Sequence, residues 1–463
     1  MRVSVCVAWL LAATVASAQE HVTTPGSLEG RPGVGMASPL QVRLDAAEPG
    51  ARIVVEAGTY RGDLFIDKAV QLVGRGRPLI EGSGSGSVVR IRAADVTVEG
   101  FDVDGMAGGD LGRDTSGIHV AAPRATIRDC RVRRSLFGVY LREAPGSVVE
   151  RTVIRGVPGL EPGEKGSGIH VWNTDGFRLT ENQVYDSRDG IYIQSSPHGY
   201  VARNIASDLR YGLHYMFSDD NVFEDNVFQR AAAGSAIMYS NRIRFRRNQF
   251  LHNRGFASVG LLFKACDDVI AEDNLIADNA RGIFLEGSYR NIFRRNIVAE
   301  SDVAIVLYDS CSGIRFEGNS FVANLTPMML VGRRTDTIVT GNYWSDNREP
   351  DLDDDGYSDR PYRLSNVFDH LRGNLTAADL FAQAFAASAL AAAETTFPVL
   401  EAIPVEDARP LARPAVLPEV PVPARENRAL RPAGILVSLA LVGIGLAAIA
   451  AARPRGFRKD GPR

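Results

Sequence analysis

Between residues 168 and 344, apolar and polar positions recur in a fixed order. Short segments open with glycine and two or three apolar residues: Gly168-Ile-His-Val, Gly190-Ile-Tyr-Ile, Gly212-Leu-His-Tyr, Gly234, Gly260-Leu-Leu-Phe and Gly282-Ile-Phe-Leu. Ala304-Ile-Val-Leu and Pro327-Met-Met-Leu keep the register with another first residue. Successive starts lie 22, 22, 22, 26, 22, 22 and 23 residues apart. Asparagines at 182, 204, 226, 248, 274, 296, 319 and 342 climb in step, and their one long step, 26 residues, falls at the same place. Two ladders that share an insertion define a structural repeat.

A 22-residue unit broken by Gly, Asn, Asp and Ser is too short for paired helices, whereas strand, turn and strand fit. One such unit cannot bury its own apolar face, so it must stack on its neighbours. The columns agree. Three residues before each Asn stand Leu179, Val201, Phe223, Phe245, Ala271, Phe293, Phe316 and Val339. Two residues after it stand Val184, Ala206, Phe228, Phe250, Ile276, Val298, Phe321 and Trp344. Small residues align eight before it, among them Thr174, Ser196, Ser218, Ser240 and Cys266. These rows predict an all-β fold, a right-handed parallel β-helix over residues 38–345, with the Asn side chains bonded along the axis.

Outside the repeat the pattern changes. Residues 1–18 read as a signal peptide, with Arg2, an apolar run and Ala16-Ser17-Ala18 before Gln19. Ser38-Pro39 predicts the start of a short helix that covers the first rung. Between Gly138 and Gly168 there are 30 residues; the surplus, 158–166, predicts an exposed loop on the wall. Residues 346–396 hold an Asp-rich closing loop and an Ala-rich C-terminal helix that opens at Thr376. Residues 397–432 read as a Pro-rich linker. Residues 433–452 are twenty in a row without charge, which predicts one transmembrane helix, and the basic tail 453–463 would then be cytoplasmic.

With 463 residues, 45% of them apolar, and a formal net charge of −3, the chain is neither disordered nor biased toward nucleic acid. Signal cleavage would leave Cys130, Cys266 and Cys311. Cys266 and Cys311 share a column two rungs apart, roughly 9.6 Å by the strand spacing. A disulfide needs about 4.4–6.8 Å between Cα atoms, so these cysteines are expected to be free thiols in a packed row.

Several stretches together resemble the NosD family of nitrous oxide reductase maturation proteins. They are Ala57-Gly58-Thr59-Tyr60-Arg61-Gly62, Leu72-Val73-Gly74-Arg75-Gly76, the phased rungs, Gly341-Asn342-Tyr343-Trp344-Ser345-Asp346, and Asp354-Asp355-Gly356-Tyr357-Ser358-Asp359-Arg360-Pro361-Tyr362. The resemblance covers roughly 39–397. It implies a periplasmic β-helix that works with an ABC-type ATPase and permease, and a role in assembling the copper–sulfide centre of nitrous oxide reductase. Expected partners are therefore these transporter subunits, the reductase and a copper chaperone, with the C-terminal helix as membrane anchor.

The residues themselves offer two sites. If Gly+1 and Gly+3 point inward, Gly+2 and Gly+4 point out. The outward rows then carry His119, Tyr140, His170, Tyr192 and His214, beside Trp172, Gln194, Met216 and Met238. Imidazole and thioether suit copper, with thioether favouring Cu(I). His170, His214, Met216 and Met238 are thus expected to form a face that handles copper transiently or docks a protein. Asp351, Asp353, Asp355 and Asp359 match the first half of a calcium loop around Gly356, although its twelfth position is Tyr362 rather than Glu; an Asp/Gly turn explains them equally. The rival class is a carbohydrate-active enzyme. Asn173-Thr174-Asp175-Gly176 resembles one polygalacturonase motif, and Asp219-Asp220 and Asp267-Asp268 offer carboxylates. The remaining Gly-His-Gly and Arg-x-Lys elements of that family are missing, so a non-enzyme is expected.

Overall fold

The computed structural model describes residues 38–255, 258–332, 335–364 and 405–415. Over them the chain winds through about thirteen turns of a parallel β-solenoid. Three sheets of 13, 13 and 12 strands run its length, each taking every third strand in order. The first sheet runs from Arg52–Val55 to Ile338–Thr340, the second from Thr59–Arg61 to Tyr343–Trp344, and the third from Leu64–Ile66 to Thr326–Val331.

The predicted columns are the core. Phe223 pairs with Phe245, Phe245 with Ala271, Ala271 with Phe293 and Phe293 with Phe316 along the first sheet. Phe223–Phe245 and Phe293–Phe316 stack at 4.7 and 4.9 Å. Ala271 leaves a gap in that stack. Phe263 of the third sheet fills it, 5.7 Å from Phe245 and 5.9 Å from Phe293, as close packing demands. The glycines mark where the third sheet turns inward. A Cβ on Gly212 would stand 2.6 Å from the Gly234 carbonyl oxygen, and one on Gly234 2.6 Å from that of Gly260. The last residue of this column is Pro327; among the described residues no further strand follows in this sheet to accept an N–H there.

The Asn ladder satisfies buried backbone as well as itself. Asn226 Nδ2 donates to Val201 O at 2.8 Å and to Asn248 Oδ1 at 2.9 Å, while its own Oδ1 accepts from Asn204 N. The small-residue row does the same with hydroxyls: Thr174, Ser196 and Ser218 N–H groups donate to the Oγ of Ser196, Ser218 and Ser240. Cys130, Cys266 and Cys311 are buried and free, and burial pushes the Cys266 thiol up to about 12.

Both ends are closed. The helix Pro39–Ala46, here α1, is capped by Ser38 Oγ on Gln41 N. It buries Leu40 and Leu44 over the first rung. Gln41 also exchanges two bonds with the Phe65 backbone, at 3.0 and 2.8 Å, pairing the open strand edge. At the far end part of the expected linker folds back. Glu406–Asp407 pairs with Tyr362–Arg363. Asp407 accepts from Asn342 N, Asn342 Nδ2 and Trp344 Nε1 through one oxygen and from Gly341 N through the other. A carboxylate suits this end of the ladder, because every group facing it is a donor.

The signal peptide, the Ala-rich helix, the apolar run 433–452 and the basic tail lie outside the described residues. Among the described residues no helix is long and apolar enough to cross a membrane.

Candidate functional site: an aromatic and histidine face on the third sheet

The outward row of the third sheet is continuous in register: His119 with Tyr140, Tyr140 with His170, His170 with Tyr192, and Tyr192 with His214. The rings touch. His170 lies 4.4 Å from Tyr140 and from Tyr192, and Tyr192 lies 4.8 Å from His214. The surplus loop expected on the wall folds down beside this row. It holds a short 3-10 turn at Pro162–Glu164, and Leu160 packs with Val157 against Leu136 and Phe137. Phe137 in turn meets His170 edge-on at 5.2 Å.

Burial sets the chemistry of the row. It pushes the His170 imidazole down to about 3, with the Arg188 charge adding to the effect. His119 is pushed down to about 4 for the same first reason, and the Tyr192 phenol up to about 12. These histidines are neutral near pH 7 and available as ligands or acceptors.

Beside His214 stands a group that sequence reasoning missed. Asp189 is fully buried and takes two bonds from Arg210, at 2.9 and 2.8 Å. It lies 3.3 Å from His214 Nδ1 and 3.3 Å from Arg188 Nε. Burial raises its carboxyl, but the bonds and charges of His214 and Arg210 more than reverse this and hold it well below the usual range. The signal was present in the column before each glycine. Ser116, Phe137, Ser167, Tyr211, Ala233 and Val259 are uncharged there, Arg281 is the one cation, and Asp189 is the one carboxylate.

His214 therefore has one nitrogen held by a carboxylate, while its Nε2 is buried without a hydrogen-bond partner. Fixing one imidazole nitrogen and leaving the other is what a metal-binding histidine needs. Met216 stands two residues on along the same face, and pairs with Met238 on the next strand. One nitrogen and two neighbouring thioethers fit a soft monovalent ion. His170 is a correction to the expected set. The Tyr192 ring stands between it and His214, 4.4 Å from the one and 4.8 Å from the other, so its contacts are with the aromatic row and not with the methionines. His170 Nδ1 is itself buried and unpartnered, but it belongs to the aromatic row.

At the closing loop the carboxylates of Asp351, Asp353 and Asp355 lie within 4.8 Å of one another. The fourth expected member does not join them. Asp359 accepts from Leu352 N at 2.7 Å, and Tyr362 donates to Asp346. Asp351 is taken up by the N–H groups of Asp355 and Gly356, and Arg409 sits 2.8 Å from Asp355.

The family described as periplasmic copper-binding protein (NosD) matches residues 147–373. A "Probable ABC transporter binding protein NosD" of Stutzerimonas stutzeri is 30% identical over 403 residues, covering 82% of this chain and 92% of the relative. This chain belongs to the NosD family. A NosD protein of Pseudomonas aeruginosa, with the same description, is 28% identical over 393 residues, 80% and 91% of the two chains. Among solved structures, the A-module of an Azotobacter vinelandii mannuronan C-5 epimerase superposes with TM-score 0.58 at 17% identity, over 65% of this chain and 93% of that one. The catalytic unit of an α-1,3-glucanase from Streptomyces thermodiastaticus gives 0.52 at 13%, over 69% and 71%. At such identities these two show a shared solenoid only. The NosD family is periplasmic by its description, and the relatives are named binding proteins, not enzymes.

Proposed function

We propose that this NosD-family chain is a periplasmic accessory protein for nitrous oxide reductase maturation. It works with an ABC-type ATPase and permease, and it passes copper toward the copper–sulfide centre through the outer face of the third sheet. The observation that carries this is the His214 imidazole, fixed on one side by Asp189 and unpartnered on the other, with Met216 and Met238 on adjoining outward positions. The family description and the relatives' names point the same way. In this reading copper is cargo, held by soft ligands that release it readily, and the reductase, a copper chaperone and the transporter are the partners. The C-terminal run 433–452 anchors the chain in the membrane, and the coil is right-handed, as nearly all parallel crossovers are.

The same reading makes the chain a non-enzyme. The carboxylate pairs a glycosidic mechanism would draw on are engaged: Arg242 holds Asp219 and Asp220, and Arg290 holds Asp267 and Asp268. We read the Asp351–Asp355 loop as a hydrogen-bonded turn with Arg409 against it, needing no ion. Adding calcium or a chelator is expected to leave Tm unchanged; a chelator-induced fall would restore the calcium site.

The decisive titration compares Cu(I) binding by the wild type with His214→Ala/Met216→Ala. Loss of about 1–2 orders of magnitude in affinity supports the site. Equal binding by the two removes it.

A further inference from the structure

The turn after the third sheet repeats its backbone from rung to rung. Asn173, Ser195, Phe217, Tyr239, Ala265 and Gly287 all take positive φ in it. Left-handed backbone suits Gly, Asn and Asp and is uncommon for a bulky side chain. Among the described non-glycine residues with positive φ, Phe217 and Tyr239, at 50° and 53°, are the two that carry a phenyl or phenol ring. Neither ring enters the core: they are 54% and 43% exposed. They stack on each other at 5.1 Å with 9° between planes. The small and polar occupants of the same column show that the fold does not need rings here. Backbone strain kept at an exposed position, with no burial to offset it, points to use.

The surroundings have a sign. Arg242 lies 3.0 and 2.8 Å from Asp219 and Asp220, and Arg290 lies 3.4 and 2.7 Å from Asp267 and Asp268. Arg244 lines the same depression as Asp220, Arg242 and Asp268, so four carboxylates face three guanidinium groups and this edge keeps a small negative excess. Tyr289 bridges to Asp267 on the same edge and is 43% exposed.

We infer that Phe217 and Tyr239 anchor a docking ridge for a protein partner whose contact is apolar and rimmed by lysine or arginine. This rests on the docking role proposed above and adds the side chains that carry it and the charge of the partner. Stacked rings lose little rotamer freedom on contact and are typical of the few residues that dominate an interface. The flanking methionines at 216 and 238 add adaptable apolar surface. The excess carboxylates select a basic rim and speed encounter.

The test uses the full chain in detergent, with Kd measured against the purified transporter, reductase and copper chaperone. Phe217→Asn/Tyr239→Asn places the residue found at Asn173 in both positions, so Tm should hold or rise. The ridge predicts that binding to one partner weakens about tenfold or more in this variant. It also predicts that wild-type Kd rises between about 50 and 300 mM salt, with a shallower rise in Asp220→Asn/Asp268→Asn. Equal affinity of wild type and the ring-deleted variant overturns the ridge and leaves the docking role standing. Failure of the wild type to bind any of the three overturns both.

Discussion

His170 shows how the solenoid fixes the protonation state of a side chain. Packed between Tyr140 and Tyr192, its imidazole is held neutral down to about pH 3, whereas in the unfolded chain it protonates near 6.5. The unfolded state therefore binds the extra proton between those values, and stability falls as pH drops from about 6.5 toward 3. Each such histidine costs about 1–2 kcal/mol by pH 5. His170→Phe should flatten the decline in Tm between pH 7 and pH 5; an unchanged slope would mean the imidazole is solvated. Asn226 is the second residue to test. Asn226→Ala leaves Asn204 N and Val201 O without their partners, at about 2–3 kcal/mol. A fall in urea midpoint with an unchanged m-value is expected.

At the scale of elements, the rungs were legible because side-chain period and turn chemistry agree over many repeats. A register error of one residue would have put Phe245, Phe293 and Phe316 outside, and the structure stacks them inside. The candidate site was less legible. Alternation gave the outward histidines and methionines, but that the Tyr192 ring stands between His170 and His214 follows only from the order of the strands. Asp189 was missed because its partner, Arg210, lies 21 residues away, one rung up. The closing strap was missed for a related reason: proline content hid an aspartate that only makes sense as the terminus of a ladder built from asparagines. Asp407→Ala removes the acceptor of four donors. We expect faster amide exchange at Gly341 and Asn342 and a local loss of about 2–3 kcal/mol. Intact protection there would show that the strap is not what closes the end.

Over the whole molecule, the solenoid works as a ruler. Every outward column is a straight line of side chains at strand spacing, so a face of one chemistry can be laid along it without disturbing the core. On the third sheet this line passes from packed tyrosine and histidine rings, through the Asp189–His214 pair, to Met216 and Met238, with Phe217 and Tyr239 at its margin. Unpartnered imidazole, soft thioethers and exposed rings meet within a few rungs. The most direct measurement is made on the reductase. Nitrous oxide reductase is purified from cells whose only copy of this protein carries His214→Ala/Met216→Ala/Met238→Ala, at normal abundance and Tm. We predict that it lacks its copper–sulfide centre by copper content and absorption spectrum. Reductase isolated fully loaded from those cells would contradict the account.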